Sequence, residues 1–242
     1  MDVVKEYGLN GNLVFSETMW FDFEFLVFLT SHNNIKKVKK DLLLKFKKFP
    51  TTIMGLEKWE KIIKVIPIKA DDKIWVISEM WKILIFRQKF VRPMWKTAGW
   101  VKAIELMDGD NVADLFVYKD ESFIFIHDDK NGKMVSVEDL LEQKARGEMK
   151  RAQSWVVAAS VLPGQKLRGA IALDEWSVYL AMKNGRIDIF DSEKMDLKLP
   201  EDPLTKITNG EIVKMRRAWH EKEEKRSDGE EEQEEDQEES EE

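Results

Sequence analysis

Apolar residues in this chain come in short continuous runs bounded by charged residues and turns. "DFEFLVFLT" starts at Asp22, "DDKIWVISE" at Asp71 and "DESFIFIHD" at Asp120. The three align without a gap at a step of 49, each with an acidic start and an apolar quartet: Phe25-Leu26-Val27-Phe28, Ile74-Trp75-Val76-Ile77 and Phe123-Ile124-Phe125-Ile126. A fourth copy, "EWSVYLAMKNG", starts at Glu175 after a step of 55, with the quartet Val178-Tyr179-Leu180-Ala181. Runs this short and this apolar predict strands covered on both faces, and a period of about fifty residues predicts a repeat architecture.

Each quartet has similar neighbours. Before it lies a second β-rich run: "KVIPIKA", "DLFVYK" or "GAIALD". After it come a turn and a return strand: "EMWKILIF", "DDKNGKMVSV" or "MKNGRIDIF". Asn131-Gly132 and Asn184-Gly185 suit a two-residue turn with positive φ at both centres, and Asn33-Asn34 is a weaker form of the same chemistry. "WVKAIEL" from Trp100 and "WVVAASV" from Trp155 each begin 23 residues before a quartet. One unit therefore reads as four strands: outlying, approach, apolar and return.

The segment "GAIALDEWSVYLAMKNGRIDIFD", Gly169 to Asp191, resembles a unit of the WD-repeat-like β-propellers: strand, acidic turn, strand, Asn-Gly turn, strand. No Trp-Asp pair closes a unit here. The resemblance implies a mainly β, β-propeller-like fold of about four four-stranded blades over residues 1–215, with short inter-blade helices. Four blades either close their own ring or form part of a larger one completed by self-association.

Two insertions interrupt the units. "SVEDLLEQKARGEMKRAQ" predicts a helix from Val137 to Arg146, capped by Ser136 with Asp139 in a capping-box-like position. "KKDLLLKFKKF" occupies the equivalent place in the first unit and ends at Pro50. Helical spacing there extends back to Ile35, but the repeat makes Ile35–Val38 a strand. After Pro203, "LTKITNGEIVKM" predicts one more hairpin around Asn209-Gly210, able to close the ring on the N-terminal strand. "RRAWHEKEEK" predicts a charged helical linker, residues 216–227.

Charge divides the chain unevenly. Residues 228–242, "DGEEEQEEDQEESEE", hold eleven acidic residues and no basic one. Removing them from the chain's 46 leaves 35 acidic residues against 39 Lys and Arg, so residues 1–227 carry about +4. An apolar-free block of one charge predicts a disordered acidic tail. It is an arm for a basic partner of histone or ribosomal type, or a solubilising appendage. Between Ile35 and Phe49 the balance reverses. Lys36, Lys37, Lys39, Lys40, Lys45, Lys47 and Lys48 form a basic patch for nucleic acid or anionic lipid. The absence of cysteine removes disulfides and Cys-based zinc sites. With no apolar run of membrane length and no signal-like N-terminus, the expected compartment is intracellular, cytoplasm or nucleus.

Catalytic chemistry finds little support. His32, His127 and His220 are the only histidines, no two at metal-ligand helical spacing. No GxSxG, Walker loop or GxGxxG is present. The recurring Asp71, Asp120 and Glu175 sit at hairpin corners, where a carboxylate caps turn amides. No enzyme, cofactor or metal is expected. Trp75, Trp100 and Trp155 read as packing residues. Trp20, Trp59, Trp81, Trp95 and Trp176 fall at strand ends or turns, and are the candidate partner-binding rim. The leading expectation is a non-catalytic protein-binding scaffold with an acidic arm. The alternative is an anionic-surface binder using residues 36–48.

Overall fold

The structure, a computed structural model, describes residues 14–15, 22–45, 52–95, 98–119, 121–142, 156–157, 165–173, 178–191 and 196–217. In chain order its first strands are β1 (Phe25–Thr30), β2 (Asn34–Lys39), β3 (Ile62–Ile68), β4 (Lys73–Ser78), β5 (Lys82–Arg87), β6 (Val101–Lys102), β7 (Val112–Tyr118) and β8 (Phe123–His127). There follow β9 (Asn131–Ser136), β10 (Val156–Val157), β11 (Gly169–Leu173), β12 (Val178–Met182), β13 (Ile187–Phe190), β14 (Thr205–Lys206) and β15 (Ile212–Arg217). Two short helices, α1 (Lys40–Leu44) and α2 (Val137–Glu142), follow β2 and β9.

All four quartets form the first strand of an antiparallel hairpin, as the repeat predicts: β1–β2, β4–β5, β8–β9 and β12–β13. The approach strands, however, belong to the preceding sheet, and the outlying strands β6 and β10 to the sheet before that. The sheets run β3-β1-β2-β6, β10-β5-β4-β7, β11-β8-β9-β14 and β13-β12-β15. "KVIPIKA" lies in β3 and pairs with β1, not with the β4 that follows it. "WVKAIEL" supplies β6, which pairs with β2 far upstream, Val101 opposite Ile35 and Lys102 opposite Asn34. The four-stranded blade of contiguous chain is therefore corrected: each sheet is completed by strands from further along, interlocking the units. Adjacency in sequence names a hairpin partner well and a third or fourth strand poorly, because a both-face apolar strand pairs equally well on either side.

The sheets stack face to face. The main core joins the first three through Val27, Leu29, Val76, Ile77, Ile124 and Ile126, all fully buried. A second cluster, with Phe125, Leu173, Val178 and Leu180, joins the third sheet to the fourth. The outer face of the first sheet, with Phe28 and Val38, is covered by the chain's own Met54, Ile53, Leu42, Leu43 and Trp100.

Turn chemistry differs from the sequence expectation. Asn131 and Gly132 are not turn centres: they open β9, and the turn is Asp128–Lys130, where Asp128 Oδ1 accepts from the Lys130 and Asn131 amides. Gly132 is there for close approach, since a Cβ would lie 2.7 Å from Phe125 Cζ. Gly185 does take positive φ, at 84°, as do Asn33 at 60° and Trp81 at 64°. Among the described residues β14 and β15 do not pair with each other; β14 adds to β9 in the third sheet and β15 to β12 in the fourth. Arg216 and Arg217 close β15, so the charged helix does not begin there. Residues 218–242, including His220, lie outside the described residues.

The helices agree with the repeat. Ile35–Val38 is strand, inside β2, and α1 begins only at Lys40. Ser136 Oγ accepts from the Glu138 amide at 3.1 Å and caps α2. Among the described residues no helix is long and apolar enough to cross a membrane.

Candidate nucleic-acid interface

The seven lysines of the predicted patch do not share one surface. Lys36 and Lys37 are buried. Strand alternation puts their stems into opposite faces of β2, and each ammonium ends on backbone carbonyls. Lys36 Nζ donates to Ile53 O at 3.0 Å and Ala98 O at 2.9 Å. Lys37 Nζ donates to Gln88 O at 2.8 Å and to the Gln88 side chain. Burial, with Lys39 close by, lowers the Lys37 pKa to about 8. Both lysines are therefore removed from the patch as structural cations. Lys133 occupies the position in the third hairpin that Lys36 holds in the first, each opposite the last quartet residue. It donates to the carbonyls of Leu199, Pro200 and Asp202, each at 2.9 Å, and burial brings it too to about 8. Lys47 and Lys48 lie outside the described residues.

Lys39 and Lys45 are exposed and Lys40 half-buried. They gain neighbours the sequence did not suggest. Beyond β5 the chain makes a single 3₁₀ turn, Gln88–Phe90, and runs on beside β2. A parallel bridge joins Lys37 to Pro93, and the Met94 amide donates to Lys37 O at 2.8 Å. Exposed Arg87, Lys89 and Arg92 are thus set next to the end of β2 and α1. The result is a basic surface across the non-turn ends of the first two sheets: Lys39, Lys40, Lys45, Arg87, Lys89 and Arg92. No local motif marks it, because its halves, Lys39–Lys45 and Arg87–Arg92, are far apart in sequence; the sequence signal is basic residues recurring after the first two return strands.

Asp41 lies exposed on α1 within this basic surface, while three other carboxylates at this end have defined partners. Asp72 Oδ2 accepts from the Lys69 amide at 2.7 Å and Glu24 Oε1 from the Ala70 amide at 3.0 Å. Asp22 pairs with Lys69. Turn capping is thus the duty of Asp72, and in the next unit of Glu121, which accepts from the Lys119 amide at 2.6 Å. Each stands one residue beyond the expected Asp71 and Asp120. Asp120 and Glu175 lie outside the described residues. The third sheet carries Glu138 and Asp139 after its return strand, so the basic surface stops at the second sheet.

The tryptophans part company. Trp81 is fully buried and offers no rim surface. Trp59 is 81 % exposed, with Lys58 Nζ 5.7 Å from its ring centroid, and Trp95 is also exposed. Trp75 is buried against Phe116, its ring centroid 5.5 Å away, and Trp100 packs on the first sheet. Trp20, Trp155 and Trp176 lie outside the described residues.

At the turn end, His32, Glu57 and Glu60 bring ligand-type atoms within 4.8 Å of one another. Glu60 is already engaged there. Burial pushes its carboxyl up, but hydrogen bonds from Thr30, the Glu57 amide and Asn34 outweigh this and hold it below the usual range. It ties the first hairpin turn to the loop before β3. Beside it opens a cavity of about 950 Å³ lined by His32, Glu57, Lys102, Glu105 and Asp110. His127 is buried against the Asp128 carbonyl, and burial lowers its pKa.

No protein-family model matches the sequence, and no curated protein does. Solved structures match by fold. One is the C-terminal domain of DNA topoisomerase IV, at 16 % identity and TM-score 0.70 over 81 % of this chain. This chain spans 63 % of that domain, under two thirds of its length. Another is the DNA gyrase A C-terminal domain, at 16 % identity and TM-score 0.70, over 84 % of this chain and 68 % of that one. The E. coli ParC C-terminal domain matches at 13 % identity and TM-score 0.57 over 81 % of each chain. The fold is therefore the β-pinwheel of these domains, which corrects the WD-repeat-like propeller. Four antiparallel sheets are present, but strand exchange between them replaces self-contained blades.

Proposed function

We propose that this chain is a non-catalytic DNA-binding domain that holds duplex DNA against the basic ends of its first two sheets. The observation that carries the reading is the juxtaposition of Lys39, Lys40 and Lys45 with Arg87, Lys89 and Arg92 by the Lys37–Pro93 bridge. Closely spaced cations on a rigid scaffold match a phosphate backbone, which supplies most of the affinity in sequence-independent binding. The likeness to C-terminal domains of DNA gyrase A and DNA topoisomerase IV supports the same reading. Nucleic acid is favoured over lipid because, among the described residues, the basic surface has no continuous apolar stripe: Leu42 and Leu43 of α1 pack onto the first sheet and only Leu44 of that helix is left exposed.

The test is fluorescence anisotropy with a labelled duplex over a series of salt concentrations. Engagement of about five phosphates gives a slope of about −4.5 in log K against log salt. A flat salt response, or equal binding by a variant with Glu at Arg87, Lys89 and Arg92, contradicts the proposal.

A further inference from the structure

The first three hairpin turns each rest against the loop that leads into their approach strand, and each finishes that contact differently. The first two share one frame. Asn33 and Trp81 take φ of 60° and 64°, and their amides bond to Thr30 O and Ser78 O. In the facing loops Trp59 and Gly109 take φ of 68° and 79°, and the Glu60 and Asp110 amides bond to Glu57 O and Met107 O. Within that frame Met80 and Met107 hold the places of His32 and Glu57. The Met80 amide donates to Asp110 Oδ1 at 3.0 Å, and Asp110 has Lys82 Nζ 3.5 Å away. In the third unit Asp129 of the turn pairs with Arg168, ahead of β11, at 2.9 Å. The first contact has neither finish. Its two carboxylates outnumber one imidazole whether or not the ring is protonated. His32 Nδ1 stands 3.4 Å from Glu57 Oε2, beyond the about 2.7–2.9 Å of a charge-assisted hydrogen bond.

We propose that His32, Glu57 and Glu60 bind a divalent transition-metal ion, with zinc the best match. With bonds of about 2.0–2.1 Å, two ligands of a tetrahedral zinc stand about 3.3–3.4 Å apart, which is the spacing of Nδ1 and Oε2. Glu60 is already oriented. Its Oε1 accepts from Thr30 Oγ1 at 2.5 Å and Asn34 Nδ2 at 2.8 Å, and its Oε2 from the Glu57 amide at 2.8 Å. A carboxylate offers about four lone-pair positions, so one on Oε2 remains for a metal, and hydrogen bonds of this kind hold ligating carboxylates in place. His32 and Glu57 also line the cavity of about 950 Å³, which has room for water to complete the coordination. Lys102, the cation lining that cavity, gives its ammonium to His32 O at 2.9 Å and steadies the turn. An imidazole nitrogen with two oxygens suits zinc, whereas magnesium and calcium take oxygen ligands. The bound ion pins the β1–β2 turn to the loop before β3, the task done by methionines in the second unit and by an ion pair in the third. No local spacing marks the site, because its donors come from two loops.

The experiment is calorimetric titration of Zn2+ into the full chain, beside His32→Ala and the double variant His32→Met with Glu57→Met. The double variant installs the second unit's own pair, so it uses a finish the fold already accepts, and circular dichroism checks folding. Uptake by His220 and by the acidic residues 228–242 is common to all three chains and cancels in the comparison. The wild type should show one saturable site in the micromolar range, weakened at least about tenfold in both variants. Co2+ should give the strong visible absorption of tetrahedral coordination in the wild type alone. Equal Zn2+ uptake by all three chains overturns the proposal. Displacement of Zn2+ by millimolar Mg2+ overturns it equally, since the residues would then act as an ordinary acidic surface. The site lies at the turn end, away from the basic surface, so its failure leaves the DNA reading untouched.

Discussion

Replacing Gly132 by alanine probes the register of the third hairpin and the packing of the third sheet on the fourth. The new Cβ would stand 2.7 Å from Phe125 Cζ, and 3.0 Å from both Phe125 Cε2 and Ile207 Cδ1. Ordinary carbon contacts begin near ~3.5 Å, so the Phe125 ring must retreat by most of an ångström. It has no room to do so. Phe125 is fully buried, with Phe190 stacked 5.8 Å from its centroid and His127 at 6.4 Å. Overpacking of this kind costs about 1–3 kcal/mol. Against it stands a gain of about 0.4–1 kcal/mol from restricting the unfolded chain, because Gly132 is strand and not a positive-φ centre. The net expectation is a loss of about 1–2 kcal/mol, read from urea unfolding midpoints, or a fall of about 2–8 °C in Tm. Phe125→Leu added to Gly132→Ala should recover part of that loss, giving a favourable coupling in a double-mutant cycle. A neutral Gly132→Ala refutes the close approach. A destabilised Gly132→Ala that Phe125→Leu does not relieve points instead to a backbone requirement, as in the turn the sequence suggested.

Further expectations follow from burial and charge. Trp81→Ala should lose about 3–5 kcal/mol as a fully buried aromatic, while Trp59→Ala should stay within about 0.5 kcal/mol; equal Tm values for the two would contradict their placement. Lys37 and Lys133 are lowered to about 8 in the folded state, against about 10.4 unfolded. The unfolded chain therefore binds more protons between those values, and stability contributed by each rises with pH across that window. Lys133→Met should flatten the rise in urea midpoint between pH 8 and pH 10, and an unchanged slope would remove Lys133 as its source. Deleting residues 228–242 removes eleven acidic residues and no apolar one. It should leave Tm unchanged and tighten binding of a duplex at low salt, where repulsion is least screened; unchanged affinity would make the tail a solubilising appendage.

The hairpins were legible because a both-face apolar quartet with a fixed step is a local signal. Ile35–Val38 shows its strength: the repeat made it strand where helical spacing argued otherwise, and β2 runs through it. What the pattern did not carry was which sheet each remaining strand joins. β3 and β6 look the same in sequence whether they pair forward or back, and that choice separates a propeller blade from the exchanged sheets seen here. The basic patch was legible only in part for a related reason. Lysine is read as a surface residue, yet Lys36 and Lys37 sit in a strand whose two faces are both covered, and neighbouring carbonyls take their ammonium groups. Their replacements on the surface, Arg87, Lys89 and Arg92, come from a neighbouring unit through a parallel bridge that no local pattern encodes. Trp81 was misplaced because a tryptophan at a turn suggests a rim, whereas its ring is seated in the main core; backbone conformation does not decide this, since Trp59 shares the positive φ and is exposed.

Position, rather than total charge, is the central claim, and a matched pair of charge reversals tests it most directly. One variant carries Glu at Lys45, Arg87, Lys89 and Arg92, at the non-turn end of the first two sheets. The other carries Glu at Lys58, Lys61, Lys130 and Lys206, all exposed and near the hairpin turns. Both change net charge equally, so any difference in duplex affinity at fixed salt reports where the DNA lies. A loss of at least about a hundredfold is expected for the first variant, since phosphate contacts supply most of the affinity of sequence-independent binding, and a much smaller loss for the second. Equal losses would mean that the DNA responds to overall charge alone, and a larger loss for the second would put the interface at the opposite end of the molecule.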